Sequence, residues 1–193
     1  MFQPGRLKQR RDGTVETIEG LGHFKQRRKV TMPRIHRTGI DQIYFVTFTI
    51  EKWYYIFDRH ERWDILLNAL KYYQQNNDLK IFTWVFMLNH IHLIFQSPDA
   101  IKFVNSFKSY TAHQLIKNIR ETEPNLLKLF KTEDGFHIWQ PKNFPEIIES
   151  EKFFLQKANY IIENPVRKGY VNYTEDWKYS SAGKIRLLDL HEL

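Results

Sequence analysis

From residue 43 the chain switches between two hydrophobic rhythms. IYFVTFTI (43–50) is a run of β-branched and aromatic residues, the pattern of a strand. In HERWDILLNALKYYQQN (60–76), Trp63, Leu66, Leu67 and Leu70 recur as one helical face. Asn77-Asp78 marks a turn, and two further strands follow, LKIFTWVFM (79–87) and NHIHLIFQS (89–97), close enough to pair as a hairpin. Asp99 is placed to cap a helix over 101–120, where Phe103, Val104, Phe107, Leu115 and Ile119 return at helical spacing. A looser stretch, 121–143, carries Pro124, Asp134-Gly135 and Pro141. FPEIIE (144–149) is a short strand candidate, and EKFFLQKANYIIEN (151–164) a helix that Pro165 stops. After residue 170 there are Trp and Tyr residues but no period.

The predicted order is β-α-β-β-α-β followed by a helix. It implies an α+β fold, a ferredoxin-like antiparallel sheet with an additional C-terminal helix. Two helices on one face of such a sheet leave the other face for a ligand or a further helix. Many functions share this fold, so function has to be read from a site.

Charge divides the chain differently. Residues 1–40 hold ten Lys/Arg against three Asp/Glu, and the remaining residues hold nineteen of each. The whole net charge of +7 therefore sits in the first forty residues, in KQRR (8–11) and FKQRRK (24–29). Five of the eight glycines fall there too, and apolar periodicity is lacking. The segment reads as a basic extension that orders on binding a polyanion, with Arg10, Arg11, Arg27, Arg28 and Lys29 as candidate DNA contacts. The domain proper spans 41–183, with 184–193 as a tail. There is no cysteine, which removes disulfides, thiolate nucleophiles and Cys-based zinc sites. No apolar run is long enough to cross a bilayer and the first residues lack a signal peptide's apolar stretch, so a cytoplasmic protein without a membrane partner is expected.

Two stretches hold residues that a core does not need. In LNHIHLIF (88–95), His90 and His92 point to the same side of a strand, with Ile94 and Gln96, while Ile91, Leu93 and Phe95 point to the other. Side-by-side imidazoles suit a divalent metal, because each neutral ring offers one nitrogen lone pair. The plainer alternative is two hydrogen-bonded histidines. His60, His113 and His137 are candidates for a third ligand only if the fold brings them close. On the 151–164 helix, Phe154, Leu155, Ala158, Ile161 and Ile162 form the apolar stripe. Phe153, Lys157, Tyr160 and Asn164 lie roughly opposite, a turn apart from one another. A phenol, an amide and an ammonium in line suit phosphate chemistry, but they equally describe the wet face of an amphipathic helix. Tyr110, with His113 and Gln114 one turn on, offers a similar set. Its stripe includes Phe103 and Phe107, so it is expected to be the more packed of the two. Periodicity does not choose between Tyr110 and Tyr160.

These motifs together resemble the single-tyrosine HUH transposases, in particular the transposase-like nucleases associated with repetitive extragenic palindromes. The resemblance rests on His90-Ile91-His92, on FKSYT (107–111), IWQPKNF (138–144), YIIENPVRKG (160–169) and WKYSS (177–181), all in the family's order. It implies that His90 and His92 are ligands of Mg²⁺ or Mn²⁺, with Asn164 the third protein ligand and Tyr160 the nucleophile. It implies cleavage and rejoining of single-stranded or hairpin DNA through a 5′-phosphotyrosine, by a monomer or homodimer. Lys157 becomes a DNA contact, and Trp139 and Gln140 match the family without a physical role. Two other readings stand beside it. One is a non-catalytic ferredoxin-like nucleic-acid binder using Tyr44, Phe45 and Phe48. The other is a metal-dependent nuclease with water as nucleophile.

Overall fold

The computed structural model describes residues 42–192, so the expectations for residues 1–40 and their five named basic residues lie outside the described residues. The elements run β1 (Ile43–Thr49), α1 (Arg62–Asn76), β2 (Lys80–Phe86), β3 (His90–Gln96), α2 (Ala100–Thr122), α3 (Pro124–Leu127), β4 (Lys131–Thr132), β5 (Gly135–Phe136), β6 (Glu146–Ile147) and α4 (Glu151–Arg167). The stretch 121–143, expected to be loose, thus contains a helical turn and a small hairpin. The main sheet has the order β2-β3-β1-β6, with every neighbouring pair antiparallel. This is the expected ferredoxin-like split βαβ: β3 is inserted between β1 and β2.

β3 is central and buried on both faces. Ile91, Leu93 and Phe95 meet Leu66 and Leu70 of α1 and Phe103 and Phe107 of α2 in the larger core. On the opposite face, Phe45, Val85 and Ile94 meet Phe154, Ala158 and Ile161 of α4. The sheet face that two helices leave free is therefore covered by the third. Each large apolar side chain so buried stabilises the fold by roughly 1.5–3 kcal/mol.

Both sheet edges are occupied. Along β2, Phe86 N donates to the Tyr179 carbonyl at 2.8 Å, Ser181 N to Trp84 at 2.9 Å and His191 N to Ile81 at 2.7 Å. Leu188 enters the larger core, so the tail is anchored to the domain at Leu188 and His191. Along β1, β6 pairs at Tyr44 and Phe45, and Gln140 N donates to the Thr49 carbonyl at 2.9 Å. Between them the Asn143 side-chain amide donates to the Thr47 carbonyl at 2.7 Å. The Trp-Gln motif acquires a role here. Trp139 is buried against Phe48, Phe57 and Phe107, and its indole N–H donates to Thr111 Oγ1 at 3.0 Å.

The starts of the helices follow the sequence. Asp99 Oδ1 accepts from Lys102 N at 2.9 Å, and Ser150 Oγ accepts from Phe153 N at 3.2 Å. The end of α4 does not. Pro165 was expected to stop it, yet the helix continues to Arg167. Pro165 lacks only its own N–H, and it sits in the last turn, where a single missing bond is tolerated. The stop is Gly169, at φ 71°, in a Schellman motif: Gly169 N donates to the Val166 carbonyl and Tyr170 N to that of Pro165, both at 2.9 Å. Arg167 therefore joins the helix that carries Tyr160.

Candidate active site

The register of β1 on β3 sets Thr47 opposite His92 and Thr49 opposite His90. Residues paired across an antiparallel ladder share a face, so Thr47 Oγ1 comes to 2.8 Å from His92 Nδ1. The two imidazoles lie side by side as expected, with ring centroids 4.8 Å apart. Both are buried.

Asn89 orients the first ring. Its Nδ2 donates to the Trp53 carbonyl at 2.6 Å, which turns Oδ1 towards His90 Nδ1 at 2.7 Å. A carbonyl oxygen only accepts, so Nδ1 carries the proton and Nε2 keeps its lone pair. His92 is held through Nδ1 by Thr47, and its Nε2 is buried with no hydrogen-bond partner among the described residues. Burial, with Lys168 nearby, pushes the His90 imidazole down to about 4. Burial also holds His92 well below the ordinary histidine range, helped by His90, Lys157 and Arg167. Both rings are thus neutral at pH 7. Two neutral imidazoles, each tied down at Nδ1, fit a divalent metal ion at Nε2. An orphaned buried nitrogen is otherwise a cost without a return.

The structure separates the two tyrosines. The Tyr160 ring centroid lies 5.0 Å from that of His92, edge to face. Tyr110 stands on α2, whose apolar residues pack on the opposite sheet face. The expectation that Tyr110 is the more packed is corrected: it is 50% exposed against 39% for Tyr160. Position 110 falls just outside the Phe103–Phe107 stripe, on the solvent side.

The helical wheel of α4 needs a second correction. Asn164 was placed opposite the apolar stripe, but it is only 4% exposed and is buried along with Ala158, Ile161 and Pro165. It comes three residues after Ile161, so it falls on the margin of the sheet-facing side. Lys157 and Tyr160 line a groove of about 570 Å³ with His92, Thr47, Glu163 and Arg167. Lys157 Nζ is 4.1 Å from the Phe45 ring centre and 3.0 Å from Glu146 Oε2. Arg167 lies over the Tyr160 ring at 4.4 Å and donates to the Tyr160 carbonyl at 2.8 Å. A second groove, of about 420 Å³, opens beside His90.

Of the possible third histidines, His60 stands 3.6 Å from Glu123 in an ion cluster with Arg59 and the buried Arg62. Among the described residues no group of three His, Asp or Glu side chains could hold a metal. Periodicity missed Asn89, Thr47 and Arg167. Asn89 adjoins the motif and was visible there. Thr47 depends on strand register. Arg167 was hidden by ending the helix at Pro165.

Residues 41–164 match the family described as Transposase IS200 like. The chain belongs to the IS200-like transposases. It is 36% identical over 98 residues to a Haemophilus influenzae protein named as a REP-associated tyrosine transposase, covering 48% of this chain and 53% of that one. It is 26% identical over 121 residues to the REP-associated tyrosine transposase of Escherichia coli K12, covering 62% and 64%. The chain thus spans between about half and two thirds of the curated relatives it matches. A REP-associated tyrosine transposase solved bound to a REP hairpin shares the fold, with a TM-score of 0.56 at 20% identity over 83% of this chain and 96% of that one. For an IS200-like transposase, the aromatic-binder alternative has little surface to use. Phe48 is fully buried, Tyr44 stacks on Phe95 at 5.7 Å, and Phe45 lies under Lys157. Among the described residues no helix is long and apolar enough to cross a membrane.

Proposed function

We propose that this IS200-like transposase is a divalent-metal-dependent endonuclease and strand transferase for single-stranded DNA. It cuts beside a DNA hairpin through a 5′-phosphotyrosine on Tyr160. The observation that carries this reading is the Tyr160 ring packed on His92, whose Nε2 is buried and unpartnered. The hairpin comes from the REP hairpin bound by the relative of known structure.

His90 and His92 would hold Mg²⁺ or Mn²⁺, with Asn164 as the third protein ligand; the ion would neutralise charge on the scissile phosphate. Asn89 fixes the orientation and tautomer of His90, and Thr47 orients the His92 ring, its hydroxyl able to accept from Nδ1 when Nε2 serves as the ligand atom. Tyr160 releases its proton to solvent in the open groove and its oxygen attacks phosphorus. The Oη–P bond forms, the P–O3′ bond breaks, and the 3′ oxygen leaves with the electron pair and takes up a proton. Arg167, over the phenol ring, narrows its orientations. Lys157 supplies positive charge for the neighbouring phosphate. The phosphotyrosine keeps the phosphodiester energy, so a DNA 3′-OH reverses the step and joins strands.

The test uses a single strand labelled at its 3′ end, with Mn²⁺. The label is expected to migrate with protein in a denaturing gel, because Tyr160 keeps the 5′ phosphate of the downstream piece. Cleavage without labelled protein would make water the nucleophile.

A further inference from the structure

The groove beside His90 has a composition that the reaction above does not use. Trp53 and Tyr55 stand in its wall, with Lys168 and Tyr170. Trp53 is 57% exposed and Tyr55 53%, although large aromatic side chains ordinarily seek burial. None of the residues lining this groove is a carboxylate, whereas Glu163 lines the Tyr160 groove. Lys168 gives it a cation one residue beyond Arg167.

Trp53 is held outward at a cost. Lys52 and Trp53 are consecutive non-glycine residues in the left-handed region, at φ 56° and 60°. A side chain with a Cβ adopts that region only at a conformational cost. The turn is clamped from three sides: Trp53 N donates to the Ile50 carbonyl at 3.0 Å, Lys52 Nζ to Leu129 at 3.2 Å, and Asn89 Nδ2 to the Trp53 carbonyl at 2.6 Å. The last clamp is the same Asn89 that orients His90. The Trp53 ring also meets the His90 ring edge-on at 5.9 Å. Tyr170 OH donates to Tyr55 OH at 3.5 Å, and the Tyr170 ring rests on Trp177 at 5.5 Å, so the opposite wall is braced as well. A strained turn that presents indole to solvent, rigidly tied to a proposed metal ligand, is built to meet something flat next to that metal.

We infer that this groove is a nucleobase subsite: an unpaired base of the DNA strand stacks on Trp53 and Tyr55 while Lys168 takes the phosphate beside it. The inference rests on the proposed action on single-stranded DNA and specifies which side chains hold the strand on the His90 side. The strand then passes from the Tyr160 groove across the histidines into the Trp53 groove. A stacked base adds affinity without choosing sequence, since every base has a π face.

The probes are (dT)12 and a twelve-unit abasic strand, which carry the same phosphates with and without bases. Binding of each to the full chain is measured in chelator, without metal, so that no cutting occurs. The basic N-terminal segment acts equally on both, and the ratio of the two dissociation constants isolates the bases. Wild type is expected to favour (dT)12 on the order of tenfold. The ratio is expected to fall several-fold in Trp53→Ala and in Tyr55→Ala, and to survive in Trp53→Phe, which keeps a stacking ring. A ratio of one in wild type, or an unchanged ratio in both alanine variants, overturns the subsite. The adduct assay on wild type separates the two readings. Adduct formation with a ratio indifferent to both variants removes the subsite and keeps the reaction. A ratio lost in the variants without any adduct keeps the subsite and removes the reaction.

Discussion

β3 is buried on both faces by helices, yet the two faces are made differently. Towards α1 and α2 it presents Ile91, Leu93 and Phe95, which meet leucine and phenylalanine and leave no polar atom to satisfy. Towards α4 it presents His90, His92 and Ile94, and there a buried imidazole nitrogen goes unpartnered. The first face is what stability alone would build. The second gives up stability in its imidazoles while retaining an apolar anchor of Phe154, Ala158 and Ile161 beside them. The rigid face lets the other be polar: a strand fixed by close packing on one side can carry imidazoles on the other without losing register.

The sharpest break between the faces is expected in chemistry. Tyr160→Phe removes the attacking oxygen and keeps the ring against His92, so cleavage should fall by ~10³-fold or more while DNA binding persists. Tyr110→Phe, on the helix of the apolar face, should cut at the wild-type rate. An adduct that survives Tyr160→Phe and disappears in Tyr110→Phe would reverse the assignment.

Stability should break the other way. Leu93→Ala opens a cavity in the closed face and should cost about 2–5 kcal/mol in urea unfolding. His92→Ala, one residue earlier, removes an orphaned polar atom and should cost less, while abolishing Mn²⁺ binding in calorimetric titration. Equal destabilisation by the two, with Mn²⁺ binding intact in His92→Ala, would make both faces structural.

Acid should act on the histidine face, where burial keeps both imidazoles neutral. Unfolded histidine takes up a proton near pH ~6.5, whereas folded His90 resists until about 4. Between those values the unfolded state binds more protons, so the stability of the metal-free protein falls as pH falls through the window. His90 contributes a loss of roughly 3 kcal/mol over it, and His92 adds in the same direction. Urea unfolding at pH 7 and pH 4.5 should show the drop in wild type and a shallower one in His90→Leu. The same slope in both would remove His90 as its source.

The smallest effect belongs to neither face. Deleting residues 1–40 removes the net charge of +7 and should weaken DNA binding more than it slows chemistry on bound DNA. The plot of log K against log salt should become shallower by roughly one unit per lost phosphate contact. An unchanged slope would mean that the segment does not touch the backbone.

Periodicity and composition alone determined a good deal of this protein. The β-α-β-β-α-β order, the cap at Asp99 and the shared side of His90 and His92 are local properties, set by backbone geometry within a few residues. They were legible because alternation and helical spacing survive whatever packs against them. The choice between Tyr160 and Tyr110 was not legible. Both sit on amphipathic helices, and only the packing of α4 on one sheet face and α2 on the other brings one phenol to His92. Thr47, from another strand, became a partner of His92 through register, a pairing across 45 residues that no local pattern encodes. Asn164 turned inward because a helix's buried side is as wide as the surface it lies on, not as wide as its apolar stripe. Trp53 is turned out by two left-handed residues, Lys52 and Trp53 itself. Their conformation depends on hydrogen bonds to Ile50, Asn89 and Leu129, which tertiary structure alone brings within reach.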